Sequence, residues 1–220
     1  MESEYQVLSQ VIHQRKTDKV LGDPANAVAY TPEQLAEGDA LVKQAIRDSG
    51  MAPFHYDRKI SGMAEPWRVY WLDYASCRRM AKALPNVIPD LKPNNKMPGL
   101  LAGCGSLALY TWLPQSPEAA ADSKQFARVN REHLAASAAA VQNLLLLLTS
   151  AGYRNYWASG TLIADHLFDH LGISGDEVLM AAVFVHYPEG QGDFQILAGK
   201  HRENRSTTFD WLSEIEFKQA

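Results

Sequence analysis

The sequence predicts one domain of the α+β class, in which helices and strands share a core. Two observations support this prediction. The 220 residues are 46% hydrophobic and 21% charged, which is the composition of a globular domain that can bury a sizeable core. Segments rich in β-branched and aromatic residues are interspersed with segments of helical periodicity, and no internal repeat or linker divides residues 1–220.

Charge and cysteine content argue against several classes of protein. The formal net charge is −4, whereas a non-specific nucleic-acid binder needs a dominant basic face. Two cysteines without a CxxC motif do not indicate a disulfide framework or a zinc finger, and they fit the reducing cytosol. The N-terminal residues lack the apolar core of a secretory signal, and the apolar stretch 134–148 is shorter than the roughly 20 residues that span a bilayer. We therefore expect a soluble cytoplasmic protein that binds neither nucleic acid nor membrane.

The first elements along the chain are helical. Residues 3–16 carry apolar side chains on one helical face, and residues 15–30 form a polar segment that predicts a loop. Thr31 and Gln34 form a capping box that predicts the start of a second helix, and Gly50 is a plausible end.

The next segments alternate between strand and helix. Residues 67–73 are β-branched and aromatic and predict a strand, as do residues 106–113. Between them, residues 75–84 predict a short helix, and the four prolines within 85–98 predict a loop.

The longest predicted helix covers residues 129–151. Apolar side chains lie on nearly every side of it, so we expect burial in a large core or at an oligomer interface. A shorter helix at 161–171 follows, and then a strongly apolar strand at 178–186 that we place at the centre of the sheet. Residues 193–198 predict a last strand, and a polar tail covers 200–220.

Two motifs suggest ligands that their context does not support. The GxGxxA pattern at 103–108 resembles a dinucleotide fingerprint, but that motif needs a strand before it and a helix after it, so a tight turn is favoured. His166 and His170 face the same way on a helix and could hold zinc, although Leu167 stands where a zincin has glutamate. A metal-dependent hydrolase remains a minor alternative.

Three short clusters are candidates for binding. A basic run at 15–19 and a basic pair around Lys200 could neutralise a phosphate, and each could equally be a solvated turn. The small residues at 158–160 would let backbone N–H groups approach a flat ligand, or they could simply begin a helix.

The order of these clusters resembles the FMN-dependent nitroreductase family, from about Val7 to Arg202. The shared features are a basic R-x-[ST]-x-K near the N-terminus and a P-W pair that opens a strand. A long apolar helix then ends in AGYRNYWASG, LGISGDEV precedes an apolar strand, and Lys-x-Arg comes near the C-terminus. The resemblance implies a mostly antiparallel central sheet flanked by helices, an intertwined homodimer with two FMN, and NAD(P)H as electron donor.

The resemblance also implies three sets of FMN contacts and no catalytic side chain. The first set holds the phosphate, ribityl chain and pyrimidine edge, and Lys19 is the candidate cation near N1. The second set presents backbone N–H groups near N5 and O4, and the third closes on the phosphate. In this order the sets are Arg15, Lys16, Thr17 and Lys19; Ser159 and Gly160; and Lys200 and Arg202.

The segment 53–67 departs from the family pattern. Met63 stands where the family has a flavin-contacting asparagine, and Glu65 replaces glutamine. The segment at 94–96 lies near another family contact region but cannot be aligned with it from the sequence. The acceptor is therefore open among nitro, quinone and enone compounds, and a flavin-binding protein with little turnover is the main alternative.

Overall fold

The computed structural model of the chain describes residues 2–58, 62–115, 123–201, 205, 208 and 211–215. Seven helices and six strands lie within this part of the chain. The helices are α1 Glu4–Gln14, α2 Pro32–Ser49, α3 Tyr74–Val87, α4 Met97–Gly103, α5 Ser123–Ser150, α6 Thr161–His166 and α7 Phe168–Leu171. The strands are β1 Asp18–Gly22, β2 Trp67–Leu72, β3 Ser106–Trp112, β4 Arg154–Ala158, β5 Val178–His186 and β6 Phe194–Ala198.

The strands form two antiparallel sheets. The larger sheet has the order β2-β3-β5-β4, and β1 pairs with β6 in a separate two-stranded sheet. β5 lies inside the larger sheet, as its uninterrupted apolar sequence predicts. The α+β prediction is confirmed, including the antiparallel central sheet that the family resemblance implied.

Helices cover both faces of the larger sheet, so the core has two layers. Successive residues of β3 point to opposite faces: Leu107 and Leu109 pack under α3 and α4, while Ala108 and Tyr110 pack under α2 and α5. All four side chains are fully buried. Because both faces are covered, the two central strands read as continuous apolar runs in the sequence.

Local sequence signals set the helix boundaries that they predicted. Thr31 accepts a hydrogen bond from the backbone N–H of Gln34, and the Gln34 side chain accepts one from the backbone N–H of Thr31. This capping box begins α2, and the helix ends at Ser49 with Gly50 as its C-terminal cap.

The prediction of a loop at 15–30 is wrong for its first half, which contains β1. Val20 of this strand is buried, and so is Val28 in the loop that follows. β1 has five residues, two of them charged, so its own sequence gives a weak strand signal. Pairing with β6, near the other end of the chain, stabilises it instead.

Three further boundaries differ from the predictions. α3 continues through Pro85 to Val87, because buried Leu84 anchors its last turn in the core. The proline-rich segment also contains the start of α4 at Met97. β4 was not predicted, since its five residues form the edge of the larger sheet and pair only with β5 there.

α5 is buried on one side rather than on every side of the single chain. It packs against α2 and the larger sheet, whereas Leu134 remains 42% exposed on the other side. By length and composition α5 could cross a membrane, a test that the core helix of a soluble protein also passes. Its packing on the sheet identifies it as a core helix with one uncovered face.

Candidate functional site

The two basic clusters from opposite ends of the chain lie side by side. β1 and β6 pair in antiparallel register, with Asp18 opposite Ala198. The next residue, Gly199, donates its backbone N–H to the carbonyl oxygen of Thr17 at 3.0 Å. The basic run at 15–19 therefore enters β1 where Lys200 leaves β6.

These residues line a cleft of about 630 Å³, which we call the basic cleft. Three walls contribute to it: the end of α1, the β1–β6 pair, and β4. The residues that line it are Ile12, His13, Arg15, Lys16, Thr17, Lys19, Tyr156, Trp157, Gly199, Lys200, His201 and Arg205. Five of the predicted site residues, namely Arg15, Lys16, Thr17, Lys19 and Lys200, thus share one cavity.

Lys19 is the cation held most tightly within the basic cleft. Its Nζ lies 5.0 Å from the centroid of the Tyr156 ring, over the ring face. Burial lowers the pKa of Lys19, and the positive charges of Lys96 and Lys200 lower it further. Three ammonium groups that repel one another are stabilised by a multiply charged anion, so the donor set fits a phosphate group.

Lys96 could not be assigned to the site from the sequence, and the structure places it near Lys19. It caps the N-terminal end of α4, which packs directly on β1. No local pattern around Lys96 could have indicated this position, because the packing of α4 on β1 is a tertiary contact.

Ser159 and Gly160 lie at the end of β4, beside the basic cleft but outside its lining. Ser159 lines a neighbouring cleft of about 570 Å³ that also contains Glu177 and Met180. Gly160 has a φ of 72°, and a Cβ atom there would lie 2.4 Å from the Leu179 side chain. Both its conformation and its surroundings therefore require glycine. β4 carries Tyr156 and Trp157 into the basic cleft and Ser159 into the neighbouring one.

Two sequence predictions concern parts of the chain away from this cavity. Arg202 lies outside the described residues. None of the described residues of segment 53–67 lines the basic cleft of its own chain. Instead, this segment is fastened to α5: His133 donates to the carbonyl oxygen of Tyr56 at 2.8 Å, and Arg128 donates to the Tyr56 hydroxyl oxygen at 2.9 Å.

The two motifs set aside in the sequence have no ligand-binding geometry. Gly103 ends α4, and the chain turns through Gly105 into β3, so the expected tight turn is confirmed. His166 ends α6 and His170 lies in α7, both exposed. Among the described residues, no group of three His, Cys, Asp or Glu side chains is arranged to hold a metal ion.

Solved structures of nitroreductases share this fold. A nitroreductase-like protein from Bacillus cereus matches with a TM-score of 0.59 and 17% identity, over 95% of this chain and 100% of that one. A nitroreductase from Desulfovibrio desulfuricans in complex with FMN has a TM-score of 0.57 and 18% identity, over 99% and 100% of the two chains. A variant of the FMN- and NADPH-dependent nitroreductase NfnB from a Sphingopyxis strain has a TM-score of 0.56 and 12% identity, over 83% and 88%.

Sequence comparison gives the family directly. No curated protein matches the chain significantly. The family model of the nitroreductases matches residues 29–187, which is most of the chain and includes the whole larger sheet. Since the fold and the family model agree over this range, the chain belongs to the nitroreductase family.

Proposed function

We propose that the protein is an FMN-dependent oxidoreductase that takes electrons from NAD(P)H and reduces a small organic acceptor. The convergence of the basic run at 15–19, Lys200 and Lys96 around one cavity carries this proposal. A phosphate at this place would be held by several charge-assisted hydrogen bonds, each of which is worth roughly 1.5–3 kcal/mol. The acceptor is of the nitro, quinone or enone class.

The residues of the cleft divide the work of binding. Arg15, Lys16 and Lys200 provide cations for the phosphate, together with Arg202, and Thr17 provides a hydroxyl group for the polar chain that follows it. Lys19 presents a positive charge beside the Tyr156 ring, where the flat part of a flavin could pack. Bound FMN would supply the hydride chemistry, and the chain binds and orients it.

The end of β4 completes the proposed site. Backbone N–H groups at Ser159 and Gly160 would approach the edge of the ring, since Gly160 has no side chain to block them. No side chain of this region is required as an acid or base for hydride transfer, so we assign no catalytic residue.

FMN is favoured over FAD by the clustering of the cations. A terminal phosphate carries two negative charges and can satisfy several cations at once, whereas an adenylate would need further space beyond them. Among the structural relatives, the Desulfovibrio desulfuricans protein is in complex with FMN and NfnB depends on FMN and NADPH, which supports the same ligands here.

We further propose that the protein is a cytoplasmic homodimer. α1 buries none of its residues and exposes Tyr5 by 81% and Leu8 by 55%. Near the C-terminus Ile215 is 92% exposed, and the outer face of α5 is uncovered. Apolar surface in three separate elements is costly in water, and a second copy of the chain would cover it.

The decisive experiment identifies the ligand of the purified protein. Mass spectrometry of the released ligand should show FMN, and titration of the apoprotein with FMN should be saturable. FAD, or no flavin binding at all, would refute the proposal. Steady NAD(P)H oxidation with an added quinone then separates an enzyme from a flavin-binding protein with little turnover.

A further inference from the structure

A buried carboxylate lies beside the basic cleft, where electrostatics alone would not place one. Asp18 is the first residue of β1, and its side chain is only 6% exposed. Its Oδ2 accepts a hydrogen bond from Nη1 of Arg154 at 2.9 Å and lies 3.7 Å from Nζ of Lys16. A negative charge next to a phosphate site weakens phosphate binding by repulsion, so this carboxylate needs another reason to be there.

The position of Arg154 suggests that reason. Arg154 begins β4, and Tyr156 follows two residues later on the same face of that strand. On β1, Asp18 contacts Arg154, and its neighbour Lys19 contacts Tyr156. β1 and β4 belong to different sheets and share no backbone ladder. These two side-chain contacts therefore join the small sheet to the large one at the cleft.

We propose that the Asp18–Arg154 ion pair is a positioning pair, which holds β1 against β4 and so fixes Lys19 over Tyr156 in the FMN cleft. This inference rests on the proposed function. Neither residue touches the ligand in this role: Asp18 and Arg154 act through Lys19 and Tyr156. The arginine fork suits the task, because its planar guanidinium holds a carboxylate in a defined direction.

Positioning and simple electrostatics predict opposite signs for one substitution. Asp18→Asn removes a negative charge beside the phosphate site, so charge alone would tighten FMN binding. If the pair positions Lys19, the same change should weaken FMN binding about ten-fold despite the added net positive charge.

The test measures FMN affinity of four single variants and one double variant. Asp18→Asn and Arg154→Gln should both weaken binding, and the double variant should be no weaker than either, because the two residues act as one unit. Electrostatics alone predicts opposite signs for the two single changes and near cancellation in the double. Asp193→Asn, an exposed change just before β6, is the matched control for charge and should leave affinity unaltered.

Two further readouts separate positioning from folding. At saturating FMN, the visible absorption of bound flavin in Asp18→Asn should shift toward that of free FMN, which a loss of stability alone would not cause. If Asp18→Asn fails to fold, Arg154→Lys carries the test, since Arg154 is 42% exposed and the change keeps its charge. Positioning predicts weaker binding in Arg154→Lys, whereas unchanged affinity overturns it.

The outcomes distinguish the two proposals. If the wild-type protein does not bind FMN, the proposed function fails and the positioning role fails with it. If the wild type binds FMN but Asp18→Asn binds it equally well or more tightly, only the positioning role is overturned.

Discussion

The backbone N–H of Gly199 donates a hydrogen bond to the carbonyl oxygen of Thr17 at 3.0 Å. This contact joins the residue before Lys200 to the middle of the basic run at 15–19. A Cβ atom on Gly199 would lie 2.9 Å from the Cβ atom of Thr17, so the two chain segments approach as closely as glycine allows. The basic cleft depends on this close approach.

Gly199→Ala should therefore destabilise the protein and weaken FMN binding. The added methyl group must push β6 away from Thr17, and overpacking of this kind costs about 1–3 kcal/mol. Chemical denaturation and FMN titration measure the two effects. Gly175→Ala is the control, because a Cβ atom there meets nothing within 4 Å. Equal behaviour of the two variants would contradict the proposed close contact.

Lys200→Ala should weaken FMN binding about ten- to a hundredfold, because it removes a charge-assisted hydrogen bond to the phosphate. Arg202→Ala should have a similar effect. His166→Ala should leave FMN affinity unchanged, since His166 lies in the neighbouring cleft away from the cations. Fluorescence titration of each apoprotein gives the affinities. Tight binding by the Lys200→Ala, Arg202→Ala double variant would show that these residues are only solvated.

Tyr5→Lys should shift the protein from dimer toward monomer. In an isolated chain Tyr5 is 81% exposed, and a change there would alter stability by less than about 0.5 kcal/mol. At an interface the same change buries a charge against apolar surface, which is costly. Sedimentation velocity distinguishes the two, with Gln10→Lys on another face of α1 as control. A wild-type protein that sediments as a monomer with flavin bound would rule out the obligate dimer.

The stability of the protein should fall on acidification below the ordinary histidine pKa of 6.5. Burial lowers the pKa of His133, and the nearby Arg58 guanidinium acts in the same direction. The unfolded chain therefore binds a proton at a higher pH than the folded one, and stability is lost as the pH falls from 6.5 toward the folded pKa. Denaturation curves on both sides of this pH measure the slope.

His133→Gln should make that dependence shallower. The glutamine amide can still donate to the carbonyl oxygen of Tyr56, which the histidine ring does at 2.8 Å, but it does not titrate. His186, whose pKa burial also lowers, should keep part of the slope. An identical pH dependence in wild type and variant would show that His133 does not contribute.

Turnover should follow ping-pong kinetics. In the proposed site, donor and acceptor occupy the same place beside the flavin ring, so they cannot be bound together. Double-reciprocal plots against NAD(P)H at several acceptor concentrations should then be parallel lines. Intersecting lines would mean that both substrates bind at once, which would require separate positions for them. FMN binding itself would not be contradicted by that result.

Local sequence signals predicted the elements whose stability is local. The Thr31 and Gln34 capping box begins α2 as expected, because its hydrogen bonds join residues three apart. The apolar run of β5 predicted a central strand, because burial on both faces leaves no polar position. The family resemblance also followed from the sequence, since it rests on the order of motifs along the chain.

The sequence by itself thus determined the fold class, the family and the chemical character of the basic residues. Only the tertiary structure decided which of them share a cavity. β1 is too short and too charged to be predicted alone, and it forms because β6 pairs with it. Lys96 reaches Lys19, and Asp18 reaches Arg154, only once α4 and β4 have packed against β1. Such contacts depend on side chains distant along the chain, so no window of local sequence contains the information that fixes them.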